Sequence, residues 1–343
     1  MGMRYRKSIN LGGGVKLNLH KKSVGVSAGS KHMRYTVNSS GRRTTSVGVP
    51  GTGMSWRQTS SSSTSGTARR RGGTARAPGA GPGAGSGPVK PGMFAPKAEK
   101  VLYRSLQAAL AQNPLEQWAP GLEQCAADSR YGFAARVLAG LLLVGRDPQQ
   151  AFVALSGVLR SGIDPGGDGF LVKYAAGFSM DVSFSGVQLS LPIGRDLIAL
   201  LVAQLHEQRG ELDLAVDAGN QMSESLLARV VQAGLATQTG QAPRAVALTE
   251  GVHNVDDLTT LALVMRAAAM RELGNVTAAL EVLKEALRFP SRSAGVRHRA
   301  RYERALVYLA QGQKRNAREE LERIYAANSS LPHVNQALGE LNV

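Results

Sequence analysis

The sequence predicts a chain of three parts: a small antiparallel β module over residues 1–59, an unstructured linker over 60–98, and an all-α solenoid over 99–343 with one β-hairpin inserted near 176–193. Three observations predict it. Between Val15 and Trp56 apolar residues recur at every second position, the period of strands that bury one face. From Ser60 to Pro88 the chain is made wholly of Gly, Ser, Thr, Pro, Ala and Arg and has almost nothing to bury. Beyond Glu99, pairs of alanines stand twelve positions apart with a glycine between them, which in four of the five pairs lies seven positions after the first alanine. Two antiparallel helices approach closely only where both present small side chains, and a tight turn between them favours glycine.

In the β module the alternating sets are Val15, Leu17, Leu19; Val24, Val26, Ala28; Met33, Tyr35, Val37; Val47, Val49; and Met54, Trp56. The breaks between them, such as GGG, HKKS, GSKH and NSSGRR, are turn material. About five short strands follow, as a meander or a small rolled sheet. Lys16, Asn18, His20, Arg34, Thr36 and Asn38 take the opposite, polar face. The module is small enough that its edges pairing between chains is a real option. Tyr5, Tyr35 and Trp56 offer stacking surfaces for bases, although aromatics at alternating positions more commonly fill a core.

Residues 1–98 hold 17 of the 41 Lys and Arg and no acid, whereas the other 24 stand against all 25 Asp and Glu. The basic part therefore either meets something anionic or uses its charge to solubilise a thin sheet and guard its edges. For the first role, as a surface for nucleic acid or another anionic partner, the candidate contacts are Arg4, Arg6, Lys16, Lys21, Lys22, Lys31, Arg34, Arg42 and Arg43. The Met-Arg-Tyr-Arg-Lys start, the GVKLNL and SVGVSAG strands and the closing VGVPGTGMSW resemble domain-of-unknown-function family 4236 over roughly residues 1–57. The resemblance supplies a boundary and implies no activity.

The linker, as a flexible coil, would have a root-mean-square span of about 35 Å. Arg69 to Gly73 form an RGG-type segment in miniature, and the glycines lack the Gly-Lys-Ser/Thr ending of a phosphate loop. Arg42-Arg43-Thr44-Thr45 and the serine run are candidate phosphorylation sites.

In the solenoid, Glu99 to Gln112 reads as an amphipathic helix that ends near Pro114. The alanine pairs are Ala139/Ala151, Ala203/Ala215, Ala233/Ala245, Ala267/Ala279 and Ala305/Ala317, and Gly210, Gly240, Gly274 and Gly312 fall inside the last four. Helix hairpins are expected over about Tyr131–Leu159, Arg195–Met222, Ser225–Val252, Leu258–Arg288 and Val296–Ala327, with a closing helix in LPHVNQALGELNV. Between the first two, Phe178 to Leu191 alternates around Ser185-Gly186 as a β-hairpin, which either carries function or packs on its neighbours as a cap.

The turn glycines are spaced by 30, 34 and 38 residues, around the ~34-residue period of tetratricopeptide repeats. With the small residue of the first helix, the alanine of the second, and Ala286 and Pro290 at one repeat end, the region resembles that family as degenerate, TPR-like repeats; the large aromatic near each first-helix start is absent. The resemblance implies a concave groove lined by first helices. Its candidate protein-binding residues are Gln204, Glu207, Val230, Arg271, Arg299, Tyr302 and Leu306. Arg297, Arg301 and Arg304 form a further basic stripe at helical spacing, opposite Glu303 and the next helix's Glu319, Glu320 and Glu322, read as a solvated or internally neutralised face or, less commonly, a ligand site.

The single cysteine, Cys125, excludes a disulfide framework and a cysteine zinc cluster and suits a reducing cytoplasm. No signal peptide is legible at the basic start, and the longest apolar run, Val137 to Val144, is far below the ~20 residues that span a bilayer. The six histidines form no close ligand pair, and no nucleophile has a placed base, so neither a metal, a cofactor nor a catalytic centre is expected. The reading is a non-catalytic, cytoplasmic adaptor or scaffold that binds a partner protein through the groove. The alternative is nucleic-acid or anionic-surface binding through the basic module.

Overall fold

A computed structural model describes the whole of residues 90–341 and the backbone of six strands between residues 6 and 61. These are β1 (Arg6–Gly12), β2 (Val15–His20), β3 (Ser23–Gly29), β4 (Met33–Asn38), β5 (Arg42–Gly48) and β6 (Ser55–Ser61), each antiparallel to the next. The alternation in the sequence located β2 to β4 closely. It missed β1, whose RKSINLG carries too few apolar residues to show a period; its ladder to β2 is made of backbone bonds. The expected linker lies largely outside the described residues.

The helices are α1 (Lys97–Leu110), α2 (Ala119–Ala126), α3 (Gly132–Leu143), α4 (Pro148–Arg160) and α5 (Gly169–Tyr174), then after β7 (Phe178–Phe184) and β8 (Val187–Pro192) come α6 (Arg195–Gln208), α7 (Leu212–Asn220), α8 (Leu226–Gln238), α9 (Ala242–Leu248), α10 (Asp257–Glu272), α11 (Val276–Ala286), α12 (Ala294–Ala310), α13 (Lys314–Ala327) and α14 (Pro332–Glu340). The chain divides into two compact units: residues 1–158, 163–182 and 190–194 in the first, and 159–162, 183–189 and 195–343 in the second.

In the first unit β6 pairs antiparallel with β7, from Ser55↔Asp181 to Gln58↔Phe178, a pairing of backbones that no side-chain pattern announces. The helical core of this unit gathers Leu102 and Leu106 of α1, Leu122 and Cys125 of α2, and Val137, Leu138 and Leu141 of α3. Burial raises the pKa of the Cys125 thiol, as does the Asp128 charge, so it is held protonated and inert. In the α3/α4 hairpin Ala139 stays partly exposed, and the small residue at the contact is Gly140 instead: any Cβ there would run into the Leu155 side chain. The expected alanine pair is thus off by one position.

The second unit is a repeated device. Ala203, Ala215, Ala233, Ala245, Ala267, Ala279, Ala305 and Ala317 are all buried between the paired helices α6/α7, α8/α9, α10/α11 and α12/α13. Gly210, Gly240, Gly274 and Gly312 adopt φ of 73°, 74°, 75° and 72°, the left-handed region where a Cβ is costly. The residue after each returns its N–H to the helix behind it: Glu211 to the carbonyl of His206 at 3.0 Å, Gln241 to Ala236 at 2.7 Å, Asn275 to Met270 at 2.8 Å and Gln313 to Tyr308 at 2.8 Å. Glycine ends the first helix and satisfies its last carbonyls in one step. α14 closes the array by placing Val334 on Leu321 and Ile324 of α13.

The tip of the β-hairpin also belongs to this unit. Ser185 and Gly186 take φ of 46° and 87°, the primed turn that suits two twisted strands. Gly186 rests on the start of α12, where a Cβ would meet the Gly295 carbonyl oxygen at 2.7 Å.

Candidate functional site

The first helices of the array, with the hairpin tip at one side, enclose a cavity of about 460 Å³ in the second unit. Its apolar wall is built by Val231 and Leu235 of α8, Met265 and Ala268 of α10 and Leu306 of α12, with Phe184 and Ser185 contributed by the tip. Its polar wall is charged and internally bonded. Gln238 donates from Nε2 to Glu207 Oε1 at 2.7 Å. Arg271 donates from Nε to Glu303 Oε1 at 2.8 Å and from Nη1 to Glu272 Oε1 at 2.8 Å, while Arg299 stands 3.9 Å from Glu303 Oε2. Burial works against the Arg271 charge, but the Glu303 and Glu272 carboxylates outweigh it, and its pKa is raised.

The helical spacing explains why these residues meet. Arg299, Glu303 and Leu306 succeed one another by about one turn of α12 and so share a stripe, and Met265, Ala268 and Glu272 do the same on α10. Of the seven groove residues expected from the sequence, Glu207, Arg271, Arg299 and Leu306 line this cavity. Val230 does not: it is 0% exposed, and its neighbour Val231 is the residue on the wall. Gln204 sits nearby and donates its amide to the Ser183 carbonyl at 2.9 Å. Tyr302 packs edge-on against His333 at 4.9 Å between ring centres, under the Arg299 guanidinium, and seals the last repeat. The tip residues Phe184 and Ser185 were invisible as site residues, because only the fold carries them from the insertion into the cavity.

The candidate anion contacts of the β module fall outside the described side chains. Arg4, Lys21, Lys22 and Lys31 are beyond the described residues altogether. For the others the backbone register is informative: it runs Arg6↔His20, Lys16↔Ser27, Arg34↔Ser46 and Arg42↔Ser61, positions of one parity across the strands, with Arg43↔Val37 on the other.

A second, smaller cavity of about 230 Å³ lies in the first unit over Glu99, Tyr131, Lys173 and Tyr174. Glu99 is buried at 6% exposure and accepts from Tyr131 Oη at 2.8 Å, from Lys173 Nζ at 2.8 Å and from the Tyr174 hydroxyl. The bonds from Lys173 and Tyr174 outweigh burial and bring its pKa down to about 2. Every oxygen of this carboxylate is satisfied from within, so the cluster ties α1, α3 and α5 together. Among the described residues no group of three His, Cys, Asp or Glu is placed to hold a metal, and no helix is long and apolar enough to cross a membrane.

Residues 3–57 match the family described as Protein of unknown function (DUF4236). No curated protein matches the chain. Among solved structures, the Cut9–Hcn1 hetero-tetramer of APC/C is similar over 71% of this chain and 42% of that one, at 15% identity and a TM-score of 0.43. A tetratricopeptide repeat protein from Parabacteroides merdae is similar over 72% of this chain and 99% of its own, at 12% identity and a TM-score of 0.40. The assembly chaperone of RpL4, Acl4, aligns over 72% and 95%, at 14% identity and a TM-score of 0.40. The TPR-like character of the helical part is carried by this chain's own buried alanines and left-handed turn glycines.

Proposed function

We propose that this chain is a non-catalytic, cytoplasmic adaptor that holds a segment of a partner protein in the cavity of its TPR-like array, with residues 1–59 as a basic module joined through 60–98 to the array at 99–343. One observation carries the reading: an apolar wall from Val231 to Leu306 faces a row of bonded charges, Glu207, Arg271, Glu303 and Arg299, in one concavity. Such a lining suits the apolar face of an amphipathic segment or an extended peptide, with the charges fixing its direction. The second reading is binding of nucleic acid or another anionic surface by the β module. Its support is the absence of any acid before Glu99 and the placement of Arg6, Lys16, Arg34 and Arg42 at positions of one parity.

The test is affinity capture by the full chain and by its Leu306→Glu variant, at low and high salt, with proteins and nucleic acids both quantified. Binding in the cavity survives high salt and is lost with Leu306→Glu. Binding by the basic module disappears in salt and ignores the substitution. A protein partner that the variant retains in full at high salt defeats the cavity assignment.

A further inference from the structure

Helix α12 carries a second charged stripe, away from the cavity. Arg297, Arg301 and Arg304 follow at one-turn intervals, and the last two reach across to α13, where one carboxylate receives them. Arg301 Nη1 lies 3.0 Å from Glu320 Oε2, Arg304 Nη2 lies 2.8 Å from the same oxygen, and Arg323 Nη1 lies 2.5 Å from Oε1. Glu320 is 3% exposed, and both its oxygens are taken. Glu319 stands 3.9 Å from Arg323 but also serves Arg315 at 3.5 Å.

Three guanidinium groups, those of Arg301, Arg304 and Arg323, thus hold one buried carboxylate, and Arg297 adds a fourth on the same stripe of α12, a surplus that Glu320 alone does not cancel. The Nε atoms of Arg297 and Arg304 are buried and find no acceptor among the described residues, and the same holds for Arg229 Nε on α8 and Arg266 Nη2 on α10. The surplus is felt by its neighbour: burial, then the charges of Arg297 and Arg301, hold the His298 pKa below its usual value. Guanidinium charge gathered this densely, with donors left over, is what an anion from outside completes. The cluster stays open to one, since the Arg301, Arg304 and Arg323 side chains remain 28%, 20% and 56% exposed.

We propose that Arg297, Arg301, Arg304 and Arg323 form a site for a dianionic phosphate-type oxyanion, presented by a phosphorylated side chain of a partner or as free phosphate. The charge count selects the chemistry. Glu320 already supplies one carboxylate and leaves three positive charges, so a second carboxylate would still leave two. A phosphomonoester brings about −1.5 to −2 and three acceptor oxygens, which guanidinium forks match. This site lies off the cavity and does not depend on what the cavity holds.

The experiment titrates the full chain with inorganic phosphate, a phosphoserine peptide and its unphosphorylated form, against chloride at constant ionic strength, reading heat of binding and thermal midpoint. Phosphate and the phosphopeptide raise the midpoint; chloride and the plain peptide do not. Arg297→Gln weakens binding about tenfold, the loss of one charge-assisted contact. Arg297 is chosen because it makes no bond to Glu320, so its loss uncovers no buried carboxylate. Arg297→Lys, which keeps the charge without the fork, recovers part of the affinity. Lys284→Gln removes an equal charge from an exposed pair with Glu281 and leaves binding unchanged. A peptide bound at least about tenfold tighter than inorganic phosphate identifies a partner's phosphorylated side chain as the source; equal affinities identify the free ion. The proposal is overturned if phosphate acts no differently from chloride, or if Lys284→Gln weakens binding as much as Arg297→Gln.

Discussion

Helix α1 of the first unit ends on Gln112 at a φ of 61°, whereas the four hairpins of the second unit turn on glycines at 72° to 75°. Both regions need a left-handed residue so that the next N–H can return to the helix, and Asn113 bonds the Ala108 carbonyl at 3.0 Å as its counterparts do in the array. At the end of α1 the need is met by an ill-suited residue. The second unit meets it repeatedly, with the residue the geometry prefers. Their buried carboxylates differ in the same way. Glu99 is balanced by two neutral hydroxyls and one lysine, while Glu320 is crowded by three arginines. One unit is stitched together by particular contacts, and the other by a repeated pattern with charge left over.

The largest effects test the carboxylates. Glu320→Gln leaves the arginines facing one another without a counter-charge and is expected to cost about 3–5 kcal/mol in urea unfolding. Glu99→Gln keeps hydroxyl partners that can rearrange around an amide and is expected to cost about 1–3 kcal/mol. Acid separates them further. The folded pKa of Glu99, about 2, lies below its ordinary 4.5. Its contribution is therefore fully present above pH 4.5 and is lost as pH falls from 4.5 towards 2. Wild type should lose stability across that window by more than Glu99→Gln does; equal acid profiles would remove Glu99 as the acid-sensitive tie.

A middle-sized effect tests the hairpin contacts. Gly140→Ala drives a methyl into Leu155 of a packed core and is expected to cost about 1–3 kcal/mol. Gly312 has open space around its Cβ position, so Gly312→Ala suffers only the backbone penalty of the left-handed region, about 1–2 kcal/mol. The two variants also differ in kind: a compensating Leu155→Val should rescue the first and leave the second unchanged.

Legibility followed the same division. Where a device recurs, as with Ala233 and Gly240 or Ala305 and Gly312, spacing alone exposed it, because each copy obeys the same steric rule. Where a feature occurs once, the sequence was silent or misleading: Ala139 was chosen over Gly140, α5 went unseen, and β6 joins β7 through backbone bonds. Four of the seven residues read as groove lining, Glu207, Arg271, Arg299 and Leu306, fall on the cavity, and at Val230 one position decides. A helix rotates about 100° per position, which separates buried Val230 from cavity-lining Val231. The arginine stripe of α12 was visible as a pattern, but its imbalance was not. Three acids, Glu319, Glu320 and Glu322, stand opposite it in the sequence, and only the fold shows that Glu320 alone is buried among the arginines.

The smallest effect is a gain. Gln112 already has a neighbour that makes the helix-ending bond, so the only fault at this position is its Cβ in the left-handed region. Gln112→Gly removes that strain but also frees the unfolded chain, and the balance is expected to stabilise the first unit by about 0.5–1 kcal/mol. The reverse change at Gly240, where the array has no such fault to mend, loses stability by the same backbone penalty as at Gly312. Amide exchange along α1 and α8 reads the two separately. Slower exchange at Asn113 in the first variant, with faster exchange at Gln241 in the second, would establish that both units end their helices by one mechanism and differ only in how well the residue suits it.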